Sequence, residues 1–90
     1  SSRVAMHYPL KELSLSEVKT IVTQALGSEA TEQVVAQIFN VTGGVHRHVD
    51  MIIPRFNELK NLKQNRAGLE NGETSVSAII NAAGRRLMVG

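Results

Sequence analysis

A short stretch near the middle of the chain carries residue types that could bind an anion. Gly43 and Gly44 interrupt an apolar run, and His46, Arg47 and His48 follow almost at once. A helix beginning here would offer free backbone N–H groups and a partial positive charge at its first turn. An arginine in that turn would complete a receptor for a phosphate. The alternative is a plain corner between two helices whose arginine is only solvated.

Metal binding and catalysis are not favoured by the same residues. Side chains at i and i+2 of a helix face apart, and only His7 or Asp50 could supply a third ligand to His46 and His48. The chain also lacks the Gly-x-x-x-x-Gly-Lys-Ser/Thr phosphate loop and any spacing typical of an activated nucleophile. We therefore expect no metal, no bound cofactor and no enzyme activity in this chain alone.

Basic residues form a second candidate site. Residues 1–42 hold three basic and four acidic side chains, whereas residues 43–90 hold seven basic and four acidic ones. The candidates for contact with DNA phosphates are Arg55, Lys60, Lys63, Arg66, Arg85 and Arg86. Few amide side chains lie near the start of the predicted long helix, which favours phosphate contact over base reading. An ordinary solvated surface is the alternative.

Length and composition limit the fold that must position these residues. A chain of 90 residues forms one domain at most, and with three aromatic residues its core must be mainly aliphatic, as in helical bundles. There is no cysteine, which excludes disulfides and agrees with a reducing compartment. No apolar run reaches the length of a membrane span. Because the chain begins Ser-Ser-Arg, we expect a fragment of a larger protein.

Hydrophobic periodicity predicts an all-α, four-helix bundle-like domain with short loops over residues 14–90. Residues 1–13 are expected to be an extended lead-in from a missing domain. Ser14 and Glu17 have the spacing of a capping box, and Gly27 is placed to end the first helix. The second helix is expected over residues 29–41.

The third predicted helix is the longest, over residues 45–64. Its apolar side chains step by four and three residues and share one face: Val45, Val49, Ile52, Phe56 and Leu59. Pro54 lies inside it and predicts a kink. Residues 65–72 are predicted to be a polar loop, and Thr74 or Ser75 should cap a last helix.

The angular spacing of residues in a helix predicts which way the Arg47 side chain points relative to the core. At about 100° per residue, Arg47 points roughly 160° away from the face that carries Val45 and Val49. Asp50 and Pro54 share its side of the helix. The polar residues at this helix start should therefore face something outside their own bundle.

The arrangement resembles the C-terminal lid domain of AAA+ ATPases. In that family the motif G-x-x-R-x-ψ (ψ, an apolar residue) is called sensor 2, and it matches Gly44-Val45-His46-Arg47-His48-Val49. The lead-in Pro9-Leu10-Lys11-Glu12-Leu13-Ser14 is similar to the entry into the first lid helix. Within the superfamily, the chain looks most like the DNA-transposition ATPases of the phage Mu B and TniB type, on Ser2-Arg3-Val4-Ala5, Gln37-Ile38 and Gly44-Val45-His46-Arg47.

The resemblance implies roles that the residues alone do not give. Arg47 and Gly44 would be the nucleotide-sensing residues. The parent protein would bind ATP and magnesium, and Arg47 would reach the terminal phosphate of that ATP. The implied partners are the parent's own nucleotide-binding domain, further copies of the parent, DNA bound weakly without sequence preference, and a transposase. The implied location is the cytoplasm of a bacterium or a phage-infected cell. The alternative is a stand-alone helical module that binds DNA or protein.

Overall fold

The computed structural model describes residues 11–89, and the side chains of residues 11–85. Five α-helices and one short 3-10 turn fill this part of the chain, and it contains no strand. The helices are α1 Leu15–Leu26, α2 Glu32–Thr42, α3 His46–Lys60, α4 Lys63–Asn71 and α5 Val76–Val89. The all-α, bundle-like fold class is therefore confirmed. Residues 1–10, most of the predicted lead-in, lie outside the described residues.

The start and end of α1 follow the local signals in the sequence. The Glu17 carboxylate accepts a hydrogen bond from the Ser14 backbone N–H at 2.8 Å, and the Ser14 hydroxyl accepts one from the Glu17 N–H at 3.2 Å. The predicted capping box is thus present in full. Gly27 ends the helix with φ of 61°, a conformation that costs glycine little.

The second helix begins three residues later than predicted. Residues 27–29 form the 3-10 turn, and the Thr31 hydroxyl then accepts a hydrogen bond from the Val34 N–H at 3.2 Å. Thr31 is therefore the N-cap, and the true helix starts at Glu32. The prediction placed the start at Glu29 because acidic residues suit a first turn, but only Glu32 lies in this one.

The predicted number of helices and the predicted loop at residues 65–72 were wrong, because the described residues form five helices instead of four. The helix α3 ends at Lys60, and α4 occupies most of the expected loop. The Asn65 side-chain amide donates to the Leu59 carbonyl at 2.8 Å, so α4 helps to satisfy the end of α3. Leu69 packs against the core, and this tertiary contact outweighs the weak helix propensity of the segment.

The core lies where α5 packs on α2 and α3. Its largest fully buried side chains are Val18, Val22, Ile38, Val49, Ile52, Phe56 and Ile80. Gly84 allows the close approach of α5, because a Cβ at this position would overlap Cγ1 of Val41 on α2. Pro54 lies within α3 and is exposed, while the kink expected there stays a prediction. Among the described residues, no helix is long and apolar enough to cross a membrane.

Candidate phosphate-sensing corner

The corner between α2 and α3 is built by two glycines with positive φ. We call residues 42–45 the glycine corner. Gly43 ends α2 in the left-handed region, with φ of 63° and ψ of 15°, and its N–H donates to the Phe39 carbonyl at 2.8 Å. Gly44 follows with φ of 82°. Two successive residues of this kind turn the chain sharply, so that α3 begins only two residues later.

Hydrogen bonds hold the glycine corner on both sides. The buried Thr42 hydroxyl donates to the Ile38 carbonyl at 2.8 Å and accepts from the Gly44 N–H at 3.2 Å. The Val45 N–H donates to the Thr42 carbonyl at 3.1 Å. The start of α3 is therefore set by the end of α2 rather than by a flexible loop.

The first turn of α3 has no side-chain cap and carries an exposed arginine. Val45 is the N-cap, and its apolar side chain cannot accept a hydrogen bond from the amides of the first turn. Arg47 is exposed, whereas His46 and His48 are partly buried. Arg47 is exposed while Val49, two residues later, is buried, which agrees with the angular argument. An anion placed here would meet backbone N–H groups and a guanidinium together.

Acidic groups lie close to the same turn. Nε2 of His46 is 3.6 Å from Oδ2 of Asp50, one turn along α3. The pKa of Glu17 is lowered, chiefly by the hydrogen bond from the Ser14 backbone N–H, with smaller contributions from Lys11 and His46. The acids flank the corner, while Arg47 itself remains exposed.

The structure does not bring the basic candidates onto one face. Lys60 is engaged within the fold: its Nζ pairs with the Glu29 carboxylate and lies 5.6 Å from the centre of the Phe56 ring. Arg66 and Lys60 border one shallow hollow together with Glu29 and Glu70. Arg55 borders a different hollow, beside Glu58. Acidic neighbours thus interrupt the positive charge.

Lys63 and Arg66 are the best placed of the DNA candidates. They lie three residues apart at the start of α4, both exposed, and the N-cap Leu62 leaves this helix start without a side-chain cap as well. Arg85 is exposed on α5, and the side chain of Arg86 lies outside the described ones. In residues 11–85 no group of three or more His, Asp or Glu side chains is placed to hold a metal ion.

Sequence reasoning missed two contacts that affect these sites. The His46–Asp50 pair follows from their i, i+4 spacing and could have been found. The Lys60–Glu29 pair joins two distant segments, so no local pattern indicates it. Comparison of the chain with protein-family models, with curated proteins and with solved structures found no match.

Proposed function

We propose that this chain is the C-terminal helical lid of an AAA+ ATPase that acts on DNA, in the class of the transposition ATPases. One observation carries the proposal: Arg47 is exposed in the first turn of a helix whose N-cap supplies no side-chain oxygen. The glycine corner holds that turn in place. The geometry is suited to receiving the terminal phosphate of a nucleotide bound by another domain.

The lid would act as a sensor and not as a catalyst. ATP and magnesium would be held by the parent's nucleotide-binding domain, because this chain has no phosphate loop of its own. With ATP present, Arg47 and the first-turn amides would bind the terminal phosphate and draw the lid closed. After hydrolysis this contact would be lost, and the lid would open and change the packing between subunits.

Contact with DNA is the second part of the proposal. Lys63 and Arg66 are exposed at an uncapped helix start, which suits contact with backbone phosphates. The interrupting acidic groups fit weak binding without sequence preference. The remaining partners proposed are other subunits of the parent and a transposase, in the cytoplasm of a bacterium or phage-infected cell. A stand-alone helical module that binds DNA or protein is the second candidate, and the same two residues support it.

A paired experiment on Arg47→Ala tests the sensor role. Because the side chain is exposed, its removal should change the stability of the 90-residue chain by less than about 0.5 kcal/mol. In the full-length protein the same change should impair ATP-dependent assembly and hydrolysis. Lys19→Ala, which removes an exposed positive charge from α1, is the control. A large fall in melting temperature would make Arg47 structural, and an unchanged nucleotide response would refute the sensor role.

A further inference from the structure

Gly44 differs from the other glycines that have positive φ in the described chain. At Gly27, Gly43 and Gly72 an added Cβ would meet no atom within 4 Å. At Gly44 it would overlap the carbonyl oxygen of Leu13 and lie 3.4 Å from the Phe39 ring. The space that a side chain at Gly44 would need is thus occupied by the backbone of the segment just before α1.

This approach is fixed by hydrogen bonds and by packing. The Leu13 N–H donates to the Gly44 carbonyl at 2.8 Å, and the Leu13 side chain packs against the core. The Gly44 N–H in turn donates to the Thr42 hydroxyl. We call Leu13, Thr42 and Gly44 the Gly44 latch. It joins the entering segment to the end of α2 through one continuous set of bonded groups.

The latch lies between the entry of the chain and the candidate sensor. Ser14, the residue after Leu13, is the N-cap of α1, and Arg47 is three residues beyond Gly44. We propose that Gly44 is a positioning residue for Arg47: its missing side chain lets the entering segment and the start of α3 move as one rigid body. A displacement of the chain segment before Leu13 would then displace Arg47 as well. The biological meaning of this latch rests on the proposed function, but its existence does not.

The chain offers a matched pair of variants for the test. Gly43→Ala and Gly44→Ala place the same methyl group on adjacent residues with positive φ, so both carry backbone strain. Only Gly44→Ala adds the overlap with Leu13. The comparison therefore separates the latch from the general cost of a side chain at the glycine corner.

Residual dipolar couplings of the 90-residue chain measure the proposed rigidity. In the wild type and in Gly43→Ala, the N–H couplings of residues 12–13 should fit the alignment tensor that is determined from the amides of residues 47–60 in α3. In Gly44→Ala the couplings of residues 12–13 should become smaller and should no longer agree with that tensor. Hydrogen exchange of the Leu13 amide should become about tenfold faster relative to core amides, the size expected for one lost hydrogen bond.

Two results would overturn the proposal. One is a wild-type Leu13 amide that exchanges as fast as an unfolded residue; the other is the same response in both alanine variants. If Gly44→Ala does not fold, a backbone ester at Leu13 removes only the N–H donor, and the couplings of Glu12 then serve as readout. The nucleotide response of the proposed parent protein is measured in a separate experiment. A failure of Arg47 to bind phosphate there would refute the proposed function but would not affect the evidence for the Gly44 latch.

Discussion

The backbone N–H of Leu13 donates a hydrogen bond of 2.8 Å to the carbonyl oxygen of Gly44. The bond joins the segment just before α1 to the corner just before α3. Because the Ser14 capping box follows immediately, the starts of the two helices are fixed relative to each other. Arg47 lies in one of these starts, so its position depends on residues that are distant in the sequence.

The Thr42 hydroxyl is expected to be the main polar support of the glycine corner. Thr42→Val keeps the shape of this buried side chain but leaves the Gly44 N–H without its partner. The loss should cost about 1–3 kcal/mol in the free energy of unfolding. Thr42→Ser keeps the hydroxyl and removes one methyl group, which should cost about 1 kcal/mol. Urea unfolding of both variants gives the comparison, and a valine variant as stable as the wild type would contradict this role.

Gly84→Ala distinguishes helix propensity from packing, because the two predict opposite signs. Propensity alone favours alanine by about 1 kcal/mol. The overlap of the new Cβ with Val41 should instead make the variant less stable by about 1–3 kcal/mol. Adding Val41→Ala removes the obstructing methyl groups, so the double variant should be more stable than the sum of the single changes predicts. Thermal or urea unfolding decides the sign, and a stabilised single variant would mean that α5 can shift away.

The capping box should make stability depend on pH in the acidic range. The Ser14 backbone N–H holds the pKa of Glu17 below its ordinary value of 4.5. A lowered pKa in the folded state means that the contribution is present above about pH 4.5 and is lost as the pH falls through the folded-state value. Glu17→Gln keeps the hydrogen-bond acceptor but cannot titrate, so its stability should fall less between pH 6 and pH 3. Gln24→Ala, at an exposed position of α1 outside the box, removes no titratable group and is the control, so it should retain the wild-type pH dependence.

DNA binding should be weak, with a dissociation constant of roughly 10⁻⁴–10⁻⁶ M at physiological salt, and it should weaken as salt is added. If Lys63 and Arg66 each contact a phosphate, their joint replacement by alanine should reduce the slope of log affinity against log salt by about two units. Lys60→Ala should change binding little, because Lys60 is paired with Glu29. Fluorescence anisotropy of a labelled duplex at several salt concentrations measures all three proteins. Salt-independent binding, or a strong preference for one sequence, would contradict the expectation.

Local signals in the sequence predicted what depends on neighbouring residues. The capping box at Ser14, the helix end at Gly27 and the exposure of Arg47 all follow from spacing within a few residues. The helix α4 was missed because its two asparagines and Gly68 are poor helix formers. Its contacts with α3 and the core come from tertiary packing, which propensity does not include.

The sequence likewise could not predict which residue contacts Gly44. A glycine just before a helix start is compatible with the close approach of another group to the backbone, but the sequence does not say which group approaches. The structure places the protein's own Leu13 there. A contact between such distant residues has no periodicity, so no pattern in one sequence could reveal it.

The ratio of ATP affinity to ADP affinity in the proposed parent ATPase tests the central claim most directly. If Arg47 binds the terminal phosphate, Arg47→Ala should weaken ATP binding by roughly tenfold or more, the typical loss for a charge-assisted hydrogen bond, and leave ADP binding unchanged. Lys19→Ala should alter neither affinity. Titration of each nucleotide by calorimetry gives the ratio. An equal effect on ATP and ADP, or no effect on either, would contradict the assignment of Arg47 as a phosphate sensor.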